Sequence, residues 1–254
     1  MDISPTTDNF LRILVCGTSI TAGLAAGEEW IVNLQPDILA KQQAKYGIRT
    51  SAPWTAGVLS AKGLSYVRSL GAMGVVVINS GVSANQASNA NTDYAKRIAT
   101  YAPSVLWLEF GTNEAILGTA LATFLTNMNG IITKYKADFP LGKIVLSTLA
   151  VIGEKHPFGG GSGNFNDPLV DDGINTAAAT SFCGAIRYLA ISGTAHGLCD
   201  QRDESANKEA IYNPSNLLGG VLFDSSGPAG AGLHPHATMA SFMSAKGASI
   251  ITIP

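Results

Sequence analysis

Short apolar runs alternate with longer amphipathic stretches along this chain. The runs at 11–16, 74–79, 105–110, 143–152 and 195–199 read as strands. Most are nearly continuous in apolar residues, as expected of strands covered on both faces. Helical spacing falls between them, at 28–45, 91–101, 121–137, 174–191 and 238–249. In the third of these, Leu121, Phe124, Leu125, Met128, Ile131, Ile132 and Tyr135 recur at the interval of one helix face, a stripe that belongs to a core. Strands and helices in alternation predict a parallel sheet in an α/β fold. Two segments break the rhythm. Residues 49–70 contain Pro53, Trp54 and many small residues and read as an insertion with room for one helix. Residues 156–168, HPFGGGSGNFNDP, follow the fourth strand and are too polar and Gly-rich for a core. At a strand's C-terminal end, where open α/β sheets bind ligands, such a loop is expected to flank a site. No repeat or linker divides the chain, so residues 1–254 are read as one domain.

Composition narrows the setting. Charged residues make up only 13% of the chain and glycines number 28, so Ser, Thr, Asn, Gly and Ala must cover much of the surface. Secreted, sugar-handling and virion-associated proteins have such surfaces. The net charge of -2 offers no basic footprint for nucleic acid. No apolar run reaches the roughly 20 residues of a membrane span, and the N-terminal segment lacks the basic and apolar regions of a signal peptide. Cys16, Cys183 and Cys199 form no CxxC pair, which argues against a zinc or redox site. They are expected as buried thiols, with a Cys183–Cys199 disulfide as the alternative. Nothing in the sequence sets the oligomeric state.

Four segments carry candidate chemistry. In ILVCGTSITAG, residues 13–23, a strand runs into Gly17-Thr18-Ser19. Ser19 would stand at the sheet edge near a helix start, where unpaired N–H groups favour negative charge; its plainer role is a helix N-cap. In VVVINSGVSANQ, residues 75–86, a strand ends in Asn79-Ser80-Gly81. Gly81 would let its backbone N–H approach a ligand, or it is a turn glycine. In LWLEFGTNE, residues 106–114, Asn113 follows another strand and offers an amide donor or caps the next helix. Near the last helix, Pro235 stiffens the segment that carries His234.

The ordered series GxSxT, NxG, GxN and HP resembles the SGNH/GDSL hydrolases over almost the whole chain. The resemblance implies a three-layer, flavodoxin-like α/β/α sandwich around a five-stranded parallel sheet. It implies a carboxylic ester hydrolase without metal or cofactor, in which Ser19 is the nucleophile and His234 its base. The backbone N–H groups of Ser19 and Gly81 and the side-chain amide of Asn113 would form the oxyanion hole. A neutral Ser hydroxyl needs such a base, and the tetrahedral oxyanion needs preset donors.

Three positions depart from the family pattern. Thr18 stands where Asp is usual, which predicts altered local hydrogen bonding, and Glu114 stands where Asp is usual, a mild change. Ala231 occupies the place of the acid that orients the histidine. Either Asp224 folds back to His234, or a carbonyl oxygen holds the imidazole, or the site no longer reacts and only binds.

Within the family the reading favours removal of short acyl groups, acetyl above all, from a small-molecule or glycan ester. A lipase or lysophospholipase activity is one alternative. A carbohydrate-binding or virion tail module on the same fold is another. Among other polar groups, His196 reads as a turn residue and Asp200 as a rival acid. Asp171 and Asp172 read as the opening of a helix, and His156 and His236 lie near the expected mouth. Trp30 and Trp54 are expected to pack, with sugar stacking as a second reading for Trp54.

Overall fold

The computed structural model describes residues 10–22, 34, 38, 57–58, 65–66, 74–149, 170–202 and 237–251. The expectations placed on Asp224, Ala231, His234, His236, His156, Trp30, Trp54, the 156–168 loop and most of the 28–45 helix and the 49–70 insertion lie outside them.

The elements, in chain order, are β1 (Phe10–Gly17), α1 (Ser19–Ala22), β2 (Gly57–Val58), β3 (Ser65–Tyr66), β4 (Gly74–Gly81), α2 (Ala87–Thr92), α3 (Tyr94–Arg97), β5 (Val105–Glu109), α4 (Thr112–Ile116), α5 (Leu121–Asp138), β6 (Lys143–Ser147), α6 (Phe182–Ile191), β7 (Gly197–Cys199) and α7 (Ala237–Ile250). Five strands pair in parallel in the order β4-β1-β5-β6-β7, which is the flavodoxin-like 2-1-3-4-5 order. The two-residue strands β2 and β3 extend the sheet antiparallel beyond β4.

The pleat sends alternate residues of each strand to opposite faces. Leu14, Cys16, Leu106 and Leu108 meet α2, α3, α5 and α6 through Ala87, Tyr94, Phe124, Met128, Tyr135 and Ile186. Ile13, Val15, Val105 and Trp107 meet Ile20, Leu34, Ile38, Met239 and Met243 on the other face. Two buried layers around one sheet make the three-layer α/β/α sandwich. The stripe expected on α5 faces the first core, with Phe124, Met128, Ile131, Ile132 and Tyr135 buried.

Two helices differ from expectation. The stretch read as one helix over 91–101 is broken into α2, α3 and a 3-10 turn at Ala99–Tyr101. Asp93 ends α2 and starts α3 with φ -90° and ψ 20°. The helix read from 174 begins only at Phe182, capped by the Ser181 hydroxyl, which accepts from the Gly184 N–H at 3.0 Å. The residues before it form a loop around Asp172. Its carboxylate accepts from the N–H groups of Ile174 and Thr180 and the hydroxyls of Thr180 and Ser181.

Candidate active site

The chain leaves β1 for β4 on one side and then crosses to β5 on the other, so the strand order reverses at β1. The three central strands end level with one another: Gly17 pairs with Gly81 on one side and Glu109 on the other. This register brings the segments of Ser19, Gly81 and Asn113 to one edge of the sheet, the place where open α/β folds bind ligands.

The turn that carries Ser19 is tightly built. Ser19 opens α1 and is 8% exposed. The Ala22 N–H donates to the Thr18 carbonyl at 3.0 Å, and the Ile20 N–H to the Thr18 hydroxyl at 3.3 Å. Beneath it lies the carboxyl of Glu109, which accepts from the Thr21 hydroxyl and, at 3.5 Å, from the Thr18 hydroxyl. Burial pushes Glu109 up to about 7; the bonds from Thr21 and Thr18 pull against it, and the charge of Glu114 adds to it. A Cβ at Gly17 would stand 2.1 Å from the Thr21 hydroxyl and 2.7 Å from the Glu109 carbonyl. Glycine at 17 is therefore a condition of this packing.

Asn79 joins β4 to the same turn. Its Nδ2 donates to the Thr21 carbonyl at 3.0 Å, and its Oδ1 accepts from the Gly81 N–H at 2.8 Å. A Cβ on Gly81 would come within 2.3 Å of the Ala22 nitrogen, so Gly81 lets α1 lie directly on β4. Gly81 is thus at the expected edge, but its single N–H is spent on Asn79. It joins an oxyanion hole only by giving up that bond.

Asn113 is half-buried on α4, and its Nδ2 donates to the Asn85 carbonyl at 2.7 Å. The amide has a second N–H to offer. Gly111 turns the chain off β5 with φ 119°, a conformation open mainly to glycine. Glu114 is more than a mild change. It is buried, and its carboxylate accepts from the N–H groups of Ala87 at 2.5 Å and Gly111 at 2.9 Å. It thereby ties the Asn113 turn to the loop after Gly81. Desolvation raises its pKa against these two bonds.

Sequence reasoning passed over Asn79, Glu109, Thr21 and Arg97. The pairing of buried Arg97 with Gly17, Ser80 and Asn85 is described below. Asp200 is engaged elsewhere: it accepts from Arg187 at 2.7 Å and from the Thr148 hydroxyl at 2.9 Å. Asp171 also pairs with Arg187, at 2.8 Å, and so serves an ion network rather than a helix start. His196 is a turn residue whose Nδ1 accepts from the Ile144 N–H at 3.1 Å. All three cysteines are buried and none forms a disulfide, which sets aside the disulfide alternative. Among the described residues, no group of three or more His, Cys, Asp or Glu is placed to hold a metal, and no helix is long and apolar enough to cross a membrane.

No protein-family model and no curated protein sequence matches the chain. Solved structures do. The acetyl xylan esterase AlAXEase is 21% identical with a TM-score of 0.62, over 94% of this chain and 98% of that one. A catalytic mutant of Axe2, an acetylxylan esterase from Geobacillus stearothermophilus, is 15% identical with a TM-score of 0.59, over 100% and 98%. A lipase/acylhydrolase from Enterococcus faecalis is 16% identical with a TM-score of 0.57, over 94% and 93%. These likenesses span whole chains and agree with the strand order and the layers described above: this chain has the fold of the SGNH/GDSL hydrolases.

Proposed function

We propose that the protein is a serine carboxylic ester hydrolase that removes short acyl groups, acetyl first, from a small-molecule or glycan ester. One observation carries the reading. Ser19 opens a helix at the strand-order reversal, and the register of β1 with β4 and β5 sets the Gly81 and Asn113 segments on either side of it. The acetylxylan esterases of the same fold support the choice of acyl group.

The chemistry follows from the residue types. The Ser19 hydroxyl attacks the acyl carbonyl, and His234 takes its proton. The negative charge that forms on the carbonyl oxygen is met by the Ser19 backbone N–H and the Asn113 amide. The Gly81 N–H adds to them when Asn79 yields it. The intermediate collapses, the C–O bond to the alkoxide breaks, and His234 returns the proton to the leaving oxygen. Water, activated by the same imidazole, then releases the acid from Ser19. Asp224 is the proposed partner that orients His234.

The test is hydrolysis of p-nitrophenyl acetate and labelling by a fluorophosphonate. Ser19→Ala should lose both while keeping its fold. Acetate should exceed octanoate by at least about tenfold in kcat/KM, roughly 1.4 kcal/mol. Label on another serine, or faster turnover of octanoate, would overturn the assignment of nucleophile or acyl group respectively.

A further inference from the structure

Arg97 ends α3, and although charged it is only 8% exposed. Its Nη2 donates to the Ser80 carbonyl and, at 3.4 Å, to the Gly17 carbonyl. Its Nη1 reaches Asn85 Oδ1 at 3.4 Å, and its own carbonyl accepts from the Ser80 hydroxyl at 3.2 Å. Nε has no partner. Each acceptor adjoins a group of the proposed site. Gly17 leads into the Ser19 turn and Ser80 precedes Gly81. The carbonyl of Asn85 holds the Asn113 amide. One rigid guanidinium fork thus touches two segments, Gly17 and the stretch from Ser80 to Asn85, and through Asn85 it backs the Asn113 amide.

This arrangement is an expensive way to hold a turn. A buried cation on neutral oxygens, with one N–H unmet, forfeits hydration that those oxygens only partly replace. An apolar side chain from α3 would fill the space at lower cost but would remove the guanidinium's bonds to the Ser80 and Gly17 carbonyls, leaving Gly17 to the Val82 N–H at 3.1 Å. A lysine would present a point charge in place of a planar fork. The geometry points to Arg97 as a positioning residue of the ester-hydrolase site: it fixes the Ser19 turn, the end of β4 and the Asn85 loop behind Asn113 in one arrangement. The inference rests on the reading of Ser19 and Asn113 given above.

The test compares wild type with Arg97→Met and Arg97→Lys, each first examined by near-UV circular dichroism and thermal melting. Kinetics on p-nitrophenyl acetate are read beside hydrogen–deuterium exchange of segments 17–22 and 80–87, with 143–147 as the control strand. Arg97→Met should lose about 30-fold or more in kcat while KM stays within about threefold, the mark of an interaction realised in the transition state. Exchange should rise in 17–22 and 80–87 and stay unchanged in 143–147. Arg97→Lys should fall between Met and wild type. A Met variant with kcat within about threefold of wild type and unaltered exchange at 80–87 overturns the inference. So does a uniform rise in exchange across all three segments, which would mark an ordinary stability residue. If the Met variant does not fold, the Lys variant decides: lower kcat at constant KM with local loss of protection supports the role, and wild-type values overturn it. If wild type cleaves no ester at all, the esterase reading fails separately. The exchange pattern alone then decides whether Arg97 holds these segments together.

Discussion

Replacing Glu109 by glutamine tests how the turn beneath Ser19 is supported. The carboxyl is buried, and desolvation pushes it up to about 7 from an ordinary 4.5, with the charge of Glu114 working in the same direction. In the unfolded chain the group ionises at its ordinary value. Below about pH 4.5 both states are protonated and the site carries no penalty. As pH rises from there to about 7, the unfolded state gives up its proton and the fold does not, so stability falls; above 7 the loss is complete and constant. A difference of roughly 300-fold in proton affinity is worth about 3 kcal/mol. Glutamine has no such proton to lose, and its Oε1 still accepts from the Thr21 hydroxyl. The stability of Glu109→Gln relative to wild type should therefore rise by about 3 kcal/mol between pH 4.5 and 8, or roughly 6–12 °C in Tm for a chain of this size. Urea melts of both proteins across this range give the difference curve, in which carboxyls that titrate alike cancel. A difference that is flat with pH, or that falls as pH rises, would refute the reasoning.

Three further outcomes follow from the same geometry. Gly81→Ala puts a Cβ 2.3 Å from the Ala22 nitrogen; α1 must shift, with about 1–3 kcal/mol lost in melts and about 10²-fold lost in acetate turnover as Ser19 moves with it. Asn113→Ala removes the proposed oxyanion donor and the bond to the Asn85 carbonyl, so kcat should fall about 10²–10³-fold while stability falls by about 1 kcal/mol. Asp224→Asn should cost about 10² or more in kcat/KM if that carboxylate orients His234. A loss under about tenfold, with Ser19→Ala and His234→Ala both inactive, would instead mean a dyad oriented by a carbonyl oxygen.

The five parallel strands were legible because each is a local fact, whereas β2 and β3 lie in the stretch read as an insertion with room for one helix. Apart from Arg12 and Glu109, residues 11–16 and 105–110 are apolar on both faces, and only a strand covered by two layers needs that. The α5 stripe was legible for the same reason. The start of α6 was not. Ile174 offered an apolar residue at a helical interval, yet it is 41% exposed. The carboxylate of Asp172 instead gathers Ile174, Thr180 and Ser181 into a loop. Short polar side chains that bond nearby backbone compete with the helix in this way, and periodicity alone does not register the competition.

The site divides along a similar line. Ser19, Gly81 and Asn113 were legible as candidates because small and amide residues just past strand ends are a pattern within a few residues of sequence. Glu109, Asn79 and Arg97 were passed over because each acts on a segment that only the sheet order brings near. Glu109 supports Thr18 and Thr21 from 91 and 88 residues away, Asn79 reaches Thr21 across 58, and Arg97 reaches Gly17 across 80. One signal was present in the sequence. A glutamate that follows four apolar residues in a strand buried on both faces must take its partners from neighbouring strands, because water is absent there. With β1 placed beside β5, the turn that bears Ser19 supplies them through Thr18 and Thr21. The same argument explains the Gly81 N–H. The Asn of the NxG segment lies two residues before the glycine, with its side chain turned to the face where α1 packs. There it satisfies a donor on its own strand and an acceptor on α1 together. The motif thus encodes the joint between β4 and the Ser19 turn, and an oxyanion role for Gly81 requires that joint to loosen.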